Sequence, residues 1–248
     1  MCYKTELCNI NMAKSNNNKI TIDFNIPELI ADMWEPLTPN QREYLTSQFI
    51  IQSYKRNEVI HFEGETPTHM MCLLSGKVKI FKDGVGGRSQ IIRMMKPVEY
   101  FGYRAFFAKQ DYVTTAAAFE PSVICLIPMT AIDTLCNENI GLCRFFMRRI
   151  SIDQCVSDQR TVNLTQKHIR GRLAEALLVL KESYGVEEDG FTLSIYLSRE
   201  DLASLSNMTT SNAIRTLSQF AIEKLIAIDG RKIKLIDEDR LKKISKIG

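Results

Sequence analysis

Residues 197–230 have the sequence LSREDLASLSNMTTSNAIRTLSQFAIEKLIAIDG. This stretch predicts two short helices joined by a tight turn and followed by a strand hairpin. Ser198 is a favoured N-cap, and the acidic residues 200–201 fall in the first turn, where the helix dipole stabilises negative charge. Asn207 tolerates the positive φ that such a turn requires, and Thr209 is placed to cap the second helix.

The second helix carries the functional signal. At about 100° per residue, Ile214, Leu217 and Ala221 are predicted to face inward, and a polar set faces outward. No member of that set is acidic, and each can hydrogen-bond to a base edge or a phosphate. This pattern is typical of a helix-turn-helix whose second helix lies in a DNA major groove, although an ordinary helical hairpin with a solvated face is the alternative. The predicted DNA contacts on this helix are Thr209, Thr210, Ser211, Asn212, Arg215 and Gln219.

The following hairpin strengthens the DNA-binding interpretation. Residues 225–228 are apolar, Asp229-Gly230 is a favoured two-residue turn, and residues 232–235 alternate basic and apolar side chains. We predict a wing in which Lys232 contacts a DNA phosphate. A solvated strand face without a function is the alternative.

The composition is that of a soluble chain of two domains. Of the 248 residues, 45% are hydrophobic and 25% are charged, and the net charge of +3 is weak evidence for a polyanionic partner. No apolar run is long enough to span a bilayer, and no secretory signal is visible, so we expect no membrane association. Seven cysteines at irregular spacing argue against a disulfide framework and for a reduced, cytoplasmic protein.

The texture of the chain suggests four parts. Residues 1–24 are predicted to be a flexible tail, and residues 25–135 form a β-roll, because short apolar runs alternate there with glycine-containing turns. Residues 136–164 are predicted to be a dimerisation helix, and residues 165–248 a winged helix-turn-helix domain. The fold class is therefore α+β.

The long helix is predicted to form a homodimer. Its apolar residues follow a 3-4-3 spacing, with Phe146 and Val156 near the same seam, although a helix packed only on its own roll has the same pattern. A two-fold protein also suits a palindromic DNA site. The predicted interface residues are Ile140, Cys143, Phe146, Met147 and Ile150.

A roll, a long helix and a winged helix-turn-helix, in that order, resemble the cyclic-AMP receptor and FNR (CRP/FNR) family of bacterial transcription regulators. The resemblance covers approximately residues 37–236 and rests on Gly64, Ser75-Gly76, Phe101-Gly102, residues 169–174 and the helix-turn-helix. It implies a cyclic-nucleotide-binding-like roll and a dimeric regulator. It also implies two partners, a palindromic double-stranded DNA operator and RNA polymerase.

The effector region departs from the family pattern. Members that bind cyclic nucleotides have a glutamate after the glycine that matches Gly102, and an arginine near the position of Tyr112 or Val113. Here Tyr103 stands at the glutamate position, so both polar anchors are missing and we expect no binding of cyclic AMP. Arg104 is expected to point to the opposite face if this segment is extended. The effector is unknown, and its pocket is predicted around Phe101, Gly102, Tyr103, Arg104, Tyr112 and Ser157, unless the roll is simply filled by its own side chains.

A metal-based signal is an alternative that the resemblance raises. FNR-type members hold a [4Fe–4S] cluster with three N-terminal cysteines and one from the roll, and Cys2, Cys8 and Cys125 resemble three of these four ligands. The set is incomplete, and Cys125 is equally well explained as a buried strand residue. An oxygen, nitric oxide or redox sensor with such a cluster therefore stays open. Haem bound by His61, His69 or a methionine also stays open, without a haem motif to support it.

The recognition helix also departs from the family pattern. Thr210 and Ser211 stand where the family has an arginine and a glutamate, and only Arg215 agrees with the family. The family's target sequence is therefore not carried over to this chain.

The sequence does not indicate an enzyme. The three histidines lie in no catalytic motif, and the glycine-rich residues 84–87 fit a hairpin turn, so we predict that the chain is not an enzyme. A ligand-binding or anchoring module without DNA binding would share the roll but would not need residues 198–235.

Overall fold

The computed structural model describes residues 26–247. The predicted tail, residues 1–24, lies outside the described residues, and so do Cys2 and Cys8. In the described part, three short helices precede a pair of β-sheets, and a long helix then leads into a helical domain with a two-stranded hairpin.

The first part of the chain is an antiparallel roll, as predicted. Its helices are α1 Ile26–Leu29, α2 Ala31–Trp34, α3 Pro39–Ser47 and α4 Tyr103–Phe107. Its strands are β1 Ile50–Tyr54, β2 Val59–His61, β3 His69–Ser75, β4 Val78–Asp83, β5 Ser89–Met95, β6 Tyr100–Phe101, β7 Thr115–Ala118 and β8 Ser122–Pro128. One sheet has the order β1-β8-β3-β6 and the other β2-β7-β4-β5. A short 3₁₀ turn at residues 85–87 joins β4 to β5, which agrees with the predicted hairpin.

Strand β3 divides the apolar core of the roll into two layers. Successive side chains of a strand point to opposite faces. Met71 and Leu73 pack between the two sheets, whereas Met70, Cys72 and Leu74 pack against the helices outside the first sheet. Both faces of β3 are therefore buried, which explains its uninterrupted apolar sequence.

The long helix begins later than predicted. Helix α5, Met129–Glu138, ends before Asn139, and helix α6, Ile140–Gln166, begins after it. Asn139 has an extended backbone, and its side-chain oxygen accepts a hydrogen bond from the Leu142 amide at 3.1 Å, which caps α6. Residues 136–138 therefore belong to α5, and the predicted start at residue 136 is wrong. At 1.5 Å per residue, α6 is about 40 Å long.

The second domain consists of four helices and a hairpin. They are α7 Ile169–Tyr184, α8 Arg199–Leu205, α9 Thr210–Ile222, β9 Ile226–Asp229, β10 Lys232–Leu235 and α10 Glu238–Ile247. Asp229 pairs with Lys232, so the two-residue turn is Gly230-Arg231 and not Asp229-Gly230 as predicted. Within residues 26–247, no helix has the length and apolar character that a membrane span requires.

A hydrogen-bonded junction joins the roll to the helix-turn-helix. The Ser204 hydroxyl of α8 accepts from the Ile91 amide at 2.8 Å and donates to the Ser89 carbonyl at 2.8 Å. Arg160 of α6 donates to the carbonyls of Ile91 at 2.6 Å and Leu205 at 3.3 Å. The β4–β5 hairpin, the long helix and α8 thus meet at one place, so the roll contributes to the position of the helix-turn-helix.

Candidate nucleic-acid interface

The two helices of the helix-turn-helix begin where the sequence predicts. The Ser198 hydroxyl accepts from the Asp201 amide at 3.0 Å, and the Asp201 carboxylate accepts from the Ser198 amide at 3.3 Å, which forms a capping box. Asn207 has a φ of 50° in the turn, as predicted. The Thr209 hydroxyl accepts from the Asn212 amide at 3.3 Å and caps α9. These local bonds fix the direction in which α9 leaves the turn.

Helix α9 packs on the domain core through Leu217 and Ala221, as predicted, but not through Ile214. Ala213, Leu217 and Phe220 are buried, whereas Ile214 is 48% exposed. The buried residues are spaced three and four apart, and Ile214 lies about 100° away from Ala213. The prediction that Ile214 faces inward is therefore wrong.

The predicted DNA contacts of α9 lie together on its accessible side. The exposed members are Thr209, Thr210, Ser211, Arg215 and Gln219, and Asn212 is half-buried. The Arg215 guanidinium donates to the Asn212 side-chain oxygen at 2.8 Å. Asn212 therefore holds Arg215 in place, and this contact competes with the predicted pairing of Asn212 with adenine. Contact of these residues with DNA stays a prediction.

The lysines of the predicted wing have acidic neighbours. The Lys232 ammonium lies 3.4 Å from the Glu187 carboxylate, and that of Lys234 lies 3.0 Å from Asp189. Hydrogen bonds, chiefly from Thr192 and then also from Lys234, hold the pKa of Asp189 well below its usual value. The Asp189 carboxylate therefore remains charged at neutral pH. Both acidic neighbours offset the positive charge of the wing. A DNA phosphate would have to compete with Glu187 for Lys232.

The roll segment at the family's glutamate position is helical. Tyr103 begins α4 after Gly102, and its buried hydroxyl donates to the Asp153 carboxylate at 3.3 Å. Burial, and then the charge of Asp153, raises the pKa of Tyr103 to about 12. The Arg104 guanidinium lies 3.9 Å from the same carboxylate. The expectation that Arg104 points to the opposite face is wrong, because neighbouring residues of a helix differ by about 100° in direction and not by 180°.

His61 and Tyr112 occupy the interior of the roll beside Gly102. Their rings stack with centroids 3.8 Å apart, and the Tyr112 hydroxyl donates to the His69 carbonyl at 3.4 Å. A Cβ added to Gly102 would lie 2.9 Å from the His69 carbonyl oxygen and 3.3 Å from the Tyr112 hydroxyl. Phe101 is buried next to them. The space beside Gly102 is therefore taken up by side chains of the roll itself.

His61, named above as a possible haem ligand, and Ser157 of the predicted effector region differ in their surroundings. His61 is 5% exposed, burial lowers its pKa to about 4, and its Nδ1 has no hydrogen-bond partner among the described residues. Ser157, in contrast, is exposed on α6. The structure thus brings Phe101, Gly102 and Tyr112 together, ties Tyr103 and Arg104 to Asp153, and leaves Ser157 on the outside of the protomer.

The predicted dimer residues fall on two sides of α6. Ile140 and Met147 are each 66% exposed, Ile150 is exposed, and Cys143 is half-buried. Phe146 is 3% exposed, and its ring packs on Tyr103 with centroids 5.5 Å apart. Phe146 faces its own roll, so it is not part of the exposed seam in which it was predicted.

Cys125 lies in the core of the roll. It stands directly opposite Cys72 in the pairing of β8 with β3, and both residues are buried. Burial raises the pKa of the Cys125 thiol to about 12, so it is a protonated core residue rather than an accessible thiolate. Among residues 26–247 no group of three or more histidine, cysteine or acidic residues is arranged to hold a metal ion. Cys125 as placed does not fit the predicted cluster, which otherwise depends on Cys2 and Cys8, outside the described residues.

The sequence pattern did not identify three residues that belong to the accessible side of α9 or to the contact between α6 and the roll. Ile214 and Ser218 are exposed on α9 beside the predicted contacts. Placing the inward stripe at Ala213 rather than Ile214 would have identified both. Asp153, which also lies 3.0 Å from the Arg93 guanidinium, links α6 to the roll. No local spacing indicates this link, because Tyr103 and Asp153 are far apart in the chain.

Two segments of the chain match known domain families. Residues 51–139 match the cyclic nucleotide-binding domain, and residues 171–244 match the Crp-like helix-turn-helix domain. The first segment contains the strands of the roll from residue 51 onward, together with α4 and α5. The second runs from α7 into α10 and therefore contains α8, α9 and the β9–β10 hairpin.

Similar proteins include several regulators. The chain is 25% identical over 197 residues to a global nitrogen regulator of Nostoc sp., which covers 77% of this chain and 88% of that protein. It is 22% identical over 212 residues to a CRP-like cAMP-activated global transcriptional regulator of Mycobacterium tuberculosis, covering 85% of this chain and 95% of the relative. The structure of FixK2 from Bradyrhizobium japonicum superposes with a TM-score of 0.72 and 21% identity, over 79% of this chain and 96% of that one.

Proposed function

The chain belongs to the CRP/FNR family of bacterial transcription regulators, and from this premise we propose that it is a homodimer that binds a two-fold DNA site without cyclic AMP. The observation that carries the proposal is the accessible side of α9, where Arg215 is held by Asn212. No residue of α9 is acidic, so this side of the helix offers only neutral and positive groups to DNA.

Base recognition is assigned to the accessible side of α9. Arg215 has the fork of donors that pairs with the O6 and N7 acceptors of guanine in the major groove. Ser211 and Thr210 are short and suit either a base edge or a phosphate, and Gln219 suits adenine. Asn212 acts by positioning Arg215. Because the wing lysines have acidic neighbours, they contribute sequence-independent attraction to phosphates and little more.

Dimerisation is assigned to α6. Ile140, Met147 and Val162 are exposed, and at about 100° per residue they lie within about 60° of one another. An apolar seam along a helix of this length is typical of a helix-helix interface. Two copies would place one α9 in each of two half-sites about 34 Å apart, one turn of the DNA helix.

Sedimentation of the full chain with and without DNA tests the dimer. Met147→Glu should convert the dimer to a monomer and lower the affinity for a two-fold site at least about 100-fold, because linked half-sites gain avidity of roughly 10²–10⁴. Ile152→Glu is a matched control, since Ile152, like Met147, is an exposed apolar residue of α6 but lies on another side of the helix. A wild-type chain that is monomeric both free and on DNA would refute the proposal.

The absence of a cyclic-AMP response is assigned to the roll. Tyr103, at the family's glutamate position, is already bonded to Asp153, and Tyr112 is stacked on His61. Neither group carries the charge that a ribose hydroxyl acceptor or a phosphate partner supplies in the family. Hydrogen bonds to charged groups contribute about 1.5–3 kcal/mol each, so the loss of two lowers the affinity by several powers of ten. We further propose that the DNA-bound dimer contacts RNA polymerase, as expected for a transcription regulator.

A further inference from the structure

One large apolar side chain stands among the polar groups of the accessible side of α9. Ile214 is 48% exposed and directly precedes Arg215. Its neighbours on the helix surface include Ser211 at i−3 and Ser218 at i+4, which have short hydroxyl side chains. Ile214 therefore extends further from the helix than these neighbours do. Single exposed apolar residues are ordinary on protein surfaces, but this one lies where the helix-turn-helix meets its ligand.

The major groove of DNA has one apolar group that matches such a side chain. Thymine presents its C5-methyl group there, whereas the other bases present hydrogen-bond donors and acceptors. An isoleucine placed against a polar base edge would leave that edge without a hydrogen bond, which costs free energy. Placed against a methyl group, it removes apolar surface of both partners from water.

We infer that Ile214 contacts the C5-methyl group of a thymine in each half-site and so selects that base, close to the base pair that Arg215 contacts. This inference rests on the proposed function, because it assumes that α9 lies in the major groove. It adds a specificity determinant that hydrogen-bonding residues alone do not supply. It also predicts that the operator contains thymine at a symmetric pair of positions, one in each half-site.

The test uses the full-length protein and one chemical change in the DNA. Binding duplexes are first selected from a random library, and each thymine of the selected operator is then replaced in turn, symmetrically in both half-sites, by deoxyuridine. Deoxyuridine pairs with adenine as thymine does but lacks the methyl group. At one position the replacement should weaken binding about fourfold for each half-site, the equivalent of about 0.8 kcal/mol per buried methylene-sized group.

Two variants complete the test. Ile214→Ala should bind the thymine and deoxyuridine operators with equal affinity at that position. Ile222→Ala is the matched control, because Ile222 is an 81% exposed isoleucine at the C-terminal end of the same helix, and it should keep the wild-type difference. Thermal unfolding of both variants verifies that they are folded.

The outcomes separate this inference from the proposed function. If the wild type binds every deoxyuridine operator as tightly as the thymine operator, Ile214 contacts no methyl group and the inference is overturned, while DNA binding stands. The same holds if Ile214→Ala retains the full difference, or if the selected half-site contains no thymine. If the library yields no selected sequence at all, the proposed function itself fails and the inference falls with it.

Discussion

The recognition helix and the interior of the roll use their side chains in opposite ways. On α9, polar groups project from the surface and only Arg215 has a side-chain partner, Asn212. In the roll, His61 is stacked on Tyr112, and Tyr103 is bonded to Asp153. The helix-turn-helix domain therefore keeps an open surface for a ligand. The roll, in contrast, uses the positions at which the family contacts its nucleotide for contacts among its own side chains. Family membership alone does not distinguish these two situations, but the contacts of individual side chains do.

Acidification should reveal the packed interior of the roll most strongly. The pKa of His61 is lowered by burial to about 4, whereas an unfolded histidine has a pKa near 6.5. Between these pH values the unfolded chain binds a proton that the folded chain does not bind. The free energy of unfolding should therefore fall as the pH falls from about 6.5 to about 4, by up to about 3 kcal/mol.

Urea unfolding of the full chain across this pH range measures the effect. His61→Gln, which cannot become charged, should lose this part of the pH dependence. His168→Gln should keep it, because His168 is exposed. Equal pH dependence of wild type and His61→Gln would show that the histidine is not held uncharged in a packed interior.

Removal of the arginine from α9 should have the next largest effect, on DNA binding rather than on folding. Arg215→Ala should cost about 1–3 kcal/mol on the selected operator and relax selectivity at one base pair. Asn212→Ala should cost less, because it removes the group that holds Arg215 but not the guanidinium itself. Competition binding against single-base operator variants measures both. If Arg215→Ala weakens binding to all sequences equally, the arginine contacts a phosphate and not a base.

The wing should give the smallest effect. Lys232→Ala should weaken binding to all sequences evenly, by less than about 1 kcal/mol, and should lower the slope of log K against log salt by about 1. Glu187→Ala should act in the opposite direction, because it frees Lys232 from its carboxylate partner. Titrations at several salt concentrations decide this. A loss confined to one operator sequence would instead assign base recognition to the wing.

The sequence predicts the local features of this molecule well. The caps at Ser198 and Thr209 and the positive φ at Asn207 follow from interactions within a few residues, so their signals lie in adjacent letters. Phe146 was misplaced because an apolar spacing shows that a helix has an inner side but not which residues another element covers. Strand β7 has the sequence TAAA, which lacks the aromatic residues and most of the β-branched residues that are typical of strands. Its sequence therefore gives little indication that it is a strand.

The candidate sites were predictable only in part, for a related reason. The bond from Tyr103 to Asp153 and the pair of Lys232 with Glu187 join residues about 50 positions apart, and no spacing rule connects such partners. Arg104 was misplaced because a five-residue helix was taken for an extended segment. The sequence identified reliably which polar and charged side chains the helices carry. Which partner each side chain finds depends on the packing of whole elements.

One binding measurement tests the comparison of α9 with the roll most directly. The fluorescence anisotropy of the labelled, selected operator is titrated with the full-length dimer, once without and once with saturating cyclic AMP. We expect tight, sequence-specific binding with the same dissociation constant in both titrations. Operator binding that appears only with cyclic AMP, or that cyclic AMP strengthens tenfold or more, would contradict this expectation, because the roll would then bind the nucleotide at positions that we propose its own side chains occupy.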